Sequence, residues 1–75
     1  MAASQEQVAK SVRREVEHHG YQAIMNGAGR VIRVVVMGNN SIGCIQVLPG
    51  SQPSDSQIKK KVYDLIHGGA NPVTV

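Results

Sequence analysis

The residue types that could do chemistry in this chain are few. The most distinctive group is Lys59-Lys60-Lys61, three consecutive cations at the start of a helix-patterned segment. The N-terminal end of a helix favours anions, through its free N–H groups and its dipole, so lysines there oppose local preference. Such a cluster suits phosphate contact. Arg30 and Arg33 are the only charged residues between positions 20 and 50 and are the natural partners of the lysines. Asp55 and Asp64 stand four residues from Lys59 and Lys60, which is also the spacing of an ordinary solvated helix face with internal ion pairs.

His18 and His19 are adjacent, about 100° apart on a helix, and lack the i,i+4 spacing that a helical metal site uses. No metal and no cofactor are expected. Cys44 is the single cysteine, lies in the apolar run Ile42-Gly43-Cys44-Ile45, and reads as a small buried hydrophobe. No motif organises a nucleophile or a general acid–base pair, so the chain is not expected to be an enzyme.

Composition narrows the classes further. The chain has 75 residues, a formal charge of +3, 41% apolar residues and 3% aromatic residues. That is one small domain with a marginal core. Base stacking on an aromatic platform is disfavoured, because there is no Trp or Phe and only two Tyr. A lone cysteine excludes an internal disulfide. The N-terminal stretch has no basic-then-apolar signal pattern, and no apolar run approaches the roughly 20 residues of a membrane span. A cytoplasmic protein with no membrane partner is expected.

The elements that must position these residues follow from periodicity. Val8, Val12 and Val16 recur every fourth residue, which predicts a helix over 4–19. Ser4 with Gln7 forms a capping box at its start, and Gly20 ends it. Strands are expected at 21–25, 30–37 and 42–48. Asn26-Gly27 marks a hairpin turn between the first two, and Gly38-Asn39-Asn40-Ser41 a second turn. Ser54 and Gln57 repeat the capping box before a second helix over 54–67, with Ile58, Val62, Leu65 and Ile66 on one stripe. The tail, 68–75, reads as irregular; its last three residues are candidates for a short edge strand, limited by Pro72. The fold class is α+β, in the order α-β-β-β-α: a three-stranded antiparallel meander with two helices on one face.

That layout creates a problem of cover. Alternation puts Ile32, Val34 and Val36 on one side of the second strand, and Val31, Val35 and Met37 on the other with Arg33. In the third strand, Ile45 and Val47 oppose Cys44 and Leu48. Both faces are largely apolar, and two helices cover only one. The uncovered face, with Val31, Val35, Met37, Cys44 and Leu48, is therefore a candidate oligomer or partner interface, and a homodimer is expected.

The element order with lysines opening the second helix resembles the double-stranded-RNA-binding domain and the HicA family of small toxin ribonucleases. The resemblance spans residues 5–67 and is one of layout. From the first family it implies phosphate contact by Lys59, Lys60 and Lys61, although these are contiguous where the family spaces them. That family's Gly-Pro-x-His loop is replaced here by Asn26-Gly27-Ala28-Gly29. The catalytic histidine stretch of the HicA-like toxins has no counterpart, since no histidine lies between positions 20 and 66. Two functions follow as expectations. One is a small nucleic-acid-binding protein of weak sequence specificity that uses Lys59, Lys60, Lys61, Arg30 and Arg33. The other is an oligomeric adaptor or inhibitor that binds a protein partner through its outer sheet face.

Overall fold

The computed structural model describes residues 4–38 and 41–75. The first helix, α1 (Gln5–His18), starts at Ser4, whose hydroxyl accepts from the Gln7 N–H at 3.1 Å, while the Gln7 side chain accepts from the Ser4 N–H at 2.9 Å. It stops in a glycine cap. Gly20 takes φ +84°, its N–H bonds the Glu17 carbonyl, and the Tyr21 N–H reaches back to Val16. A positive φ is cheap only for glycine, and it turns the chain straight into the sheet.

Three strands follow as a meander, β1 (Gln22–Ala28), β2 (Val31–Gly38) and β3 (Ser41–Val47). The first hairpin turn is not at Asn26-Gly27. Those residues pair with Arg33 and Ile32, and the chain reverses at Gly29-Arg30, with Gly29 at φ +66°. A turn at Asn26-Gly27 satisfies local preference but leaves the far half of β2 without a partner. The observed turn pairs β1 with β2 over seven positions, from Gln22↔Met37 to Ala28↔Val31. Long-range pairing wins over the stronger local signal. The second expected turn centres on Asn39 and Asn40, outside the described residues; the flanking strands pair Gly38 with Ser41.

The second helix, α2 (Asp55–Ile66), repeats the capping box with Ser54 and Gln57. Gly69, at φ +75°, redirects the chain after it. The tail then departs from the expected irregular segment: Val73–Thr74 forms β4, parallel to β3. The sheet is therefore four-stranded and mixed, in the order β1-β2-β3-β4. Pro72 has no N–H to give to a ladder, and the side chain of Asn71 supplies the bond next to it, its Oδ1 accepting from the Cys44 N–H at 3.3 Å. The ladder continues beyond β4, where the Val75 N–H donates to the Gln46 carbonyl and the Val75 carbonyl accepts from the Leu48 N–H.

Both helices lie on one face of the sheet and run in the same direction. Gln5, at the start of α1, donates to the carbonyls of Arg30 and Val47 at the end of the sheet from which the chain leaves for α2. At the opposite end the rings of His19 and His67 meet at 5.7 Å. Between helices and sheet lie Val8, Val12, Val16, Val34, Val36, Ile45, Val47, Ile58, Val62 and Val73, with Ala9 between them. Apart from Ala9 the buried core of the described residues is all valine and isoleucine. Each such side chain contributes about 1.5–3 kcal/mol when fully buried, so the core is adequate but thin. One close approach sets the seat of α2. Leu65 lies over Gly43, where an added Cβ would stand 2.9 Å from the Leu65 Cδ1.

Candidate interaction surfaces

Strand alternation and helix position together define an outer face. Ala23, Met25, Ile32, Val34, Val36, Ile45 and Val47 turn toward the helices. The opposite side carries Ile24, Val31, Arg33, Val35, Met37, Cys44 and Gln46. The tail does not cover this face, because it extends the sheet sideways as β4.

The register arranges the outer face in rows. Ile24 stands opposite Val35, and Val35 opposite Cys44. This row is apolar and runs from the β1 edge inward. Ile24 is 54% exposed, while Val35 and Cys44 are half-buried. Cys44 is thus not a core residue. The parallel row is polar: Asn26 opposite Arg33, Arg33 opposite Gln46, Gln46 opposite Thr74. Val31 and Met37 flank these rows, half-buried, and Leu48 lies one residue beyond β3 at 40% exposure. Four of the five expected interface residues, Val31, Val35, Met37 and Cys44, therefore share one face, and Leu48 is exposed just past the end of β3. Ile24 completes that face and escapes a reading of the sequence that ends the first strand at residue 25 and assigns it no faces.

The expected basic residues do not share one surface. Lys59, Lys60 and Lys61 are all exposed on α2 but fan around it. Lys59 lines the groove between the helices with Arg14, His18, His19, Glu15 and Asp55. Lys61 lines a hollow on the other side, against Pro53 and Val75. Arg30 is exposed in the hairpin turn, and Arg33 is on the outer face, with the sheet between it and the helices. Among the described residues the ion pairs are all on α1 and its C-terminal cap, and none joins Lys59 to Asp55 or Lys60 to Asp64. They are Glu6–Lys10 at 3.5 Å, Arg13–Glu17 at 3.7 Å and Glu15–His19 at 3.4 Å, the last an ion pair when the imidazole is protonated. Arg14, placed beside Lys59 by the parallel helices, is a cation that spacing alone does not join to the lysines.

At the C-terminal ends of the helices, Glu15 contacts His19, whose ring meets His67 edge-on, and Tyr63 lies 4.8 Å from the His67 ring. A carboxylate that orients an imidazole is half of a general-base arrangement. The nearby Ser11 hydroxyl is turned back to the Gln7 carbonyl at 3.1 Å. Among the described residues no group of three or more His, Cys, Asp or Glu is placed to hold a metal ion, and no helix is long and apolar enough to cross a membrane.

Compared with known protein families, curated proteins and solved structures, the chain shows no significant match.

Proposed function

We propose that this chain is a non-enzymatic interaction module that associates with a second copy of itself through its sheet. The observation that carries this reading is the uncovered outer face, with Ile24 more than half exposed at the end of the row Ile24–Val35–Cys44. Exposed contiguous apolar surface marks an interaction site, and a thin core of valine and isoleucine gains stability by burying more of it. Light scattering at micromolar concentration is the test. The expected mass is about twice the 8.0 kDa of the chain, and Ile24→Lys returns it to the monomer value. A wild-type chain that remains monomeric overturns the reading.

A second reading, phosphate contact by α2, is favoured by one observation: Lys59, Lys60 and Lys61 are exposed and make no ion pair among the described residues. It also draws on the layout resemblance to the double-stranded-RNA-binding domain. The surface it uses is smaller than the sequence implies, because Arg33 faces away, while Arg14 joins it. About three neutralised phosphates give a log K against log salt slope of about −3. A mobility shift with duplex RNA and duplex DNA tests it; lysine-to-glutamine changes at all three positions abolish the shift, and absence of binding at low salt removes the reading.

A further inference from the structure

The edge of β1 is open in a way that fits one occupant. Cys44, Gln46 and Leu48 turn their backbone groups toward the tail. In an antiparallel ladder the backbone groups of successive residues alternate between the two sides of the strand. Counting back through the register, Val34 and Val36 turn to β3, while Arg33 and Val35 turn to β1. On β1 the alternation then sends the N–H and C=O groups of Ala23, Met25 and Gly27 away from β2. No backbone bond reaches them from that side among the described residues.

Edge strands are usually blunted by charge, proline, a bulge or shortness. β1, Gln22–Ala28, is seven residues long and contains no charged residue and no proline. Its pairing with β2 runs without a break in register, so no bulge twists it away. The chain carries +3, yet none of that charge is on this strand, so two copies meet here without a charge on either contacting strand.

We propose that β1 pairs antiparallel with β1 of a second copy about a twofold axis at Ile24, joining the two sheets into one. Ala23 of each copy then exchanges backbone bonds with Met25 of the other. Ile24 stands opposite Ile24 on the outer face, and Gln22 opposite Asn26. Directly opposed side chains in such a ladder lie about 4.5–5.5 Å apart between Cβ atoms. The apolar row Cys44–Val35–Ile24 therefore continues unbroken into the second copy, and its most exposed member becomes its centre. An isologous contact of this kind closes on itself and stops at the dimer. The pairing rests on the self-association proposed above and specifies its geometry: edge to edge, not face to face.

Disulfide trapping separates the two geometries. In a Cys44→Ser background, Ile24→Cys should give a covalent dimer on mild oxidation, and Val35→Cys should not, because Val35 lies one strand further from the axis in each copy. Gly27→Pro removes an outward N–H that this register places opposite the Tyr21 carbonyl of the other copy, at the end of the shared ladder, without altering the outer face, and should weaken the dimer about tenfold with the circular dichroism spectrum of the fold retained. Trapping through Val35→Cys instead, or a dimer indifferent to Gly27→Pro, overturns the edge geometry and leaves self-association standing. A monomeric wild type overturns both.

Discussion

At one edge of the sheet, β4 is two residues long, follows Pro72 and is tied to β3 by Asn71 and Val75. At the other, β1 runs for seven residues with no charge and no proline. The first edge is short and guarded, which is how a natural sheet avoids unwanted pairing. The second has none of those features, although the same sequence supplies prolines and lysines elsewhere. The difference separates two tasks. β4 completes the fold: its Val73 is buried in the core, and it closes the side of β3 that would otherwise be open. β1 contributes Ala23 and Met25 to the core but leaves its outer row and its backbone edge available.

The largest expected effect that bears on this contrast is at Val73. Val73→Asp puts a carboxylate into a site only 5% exposed. It should cost about 2–4 kcal/mol and lower the melting temperature by about 10–30 °C. Ile24→Asp, on the opposite edge, should leave the stability of the monomer within about 0.5 kcal/mol while dissociating the dimer. Equal thermal losses at both edges, measured below the association range, would remove the distinction.

Asn71→Ala comes next. It takes the acceptor from the Cys44 N–H and should cost about 1 kcal/mol, read as about fivefold faster hydrogen exchange at the Cys44 amide, with the β1 amides unchanged. Faster exchange spread evenly over the sheet would mean that Asn71 does not act locally on the β4 side. The smallest effect is at Ser54. Ser54→Gly keeps the N-cap geometry but loses its side-chain bond, and should cost only a few tenths of a kcal/mol. Its consequence should appear in the first turn of α2 and in β4, which α2 delivers, and not in β1.

The parts of this fold that are legible in sequence are those fixed by periodicity and local chemistry. Ser4 with Gln7 and Ser54 with Gln57 mark both helix starts, and Val8, Val12 and Val16 define the buried stripe of α1. Alternation in β2 and β3 identifies the outer face. The features that escape are set by partners distant in the chain. β4 is too short to have a period, and its place depends on a βαβ crossover and on a side-chain bond from Asn71. The turn at Gly29-Arg30 overrides a better local signal because it allows β2 to be paired along its length. The basic residues look like one group in sequence and separate in space, because Arg33 follows the alternation of a strand and the lysines fan around a helix.

The close approach of Leu65 to Gly43 has a consequence for how this chain can change over generations. A methyl at position 43 alone pushes the half-buried Leu65 side chain off its seat, and a smaller residue at position 65 alone uncovers Gly43, so each single step shifts the contact that seats α2. Taken together they exchange bulk between strand and helix. Lineages descended from this sequence should therefore vary at 43 and 65 jointly, preserving the summed volume of the pair while either residue drifts.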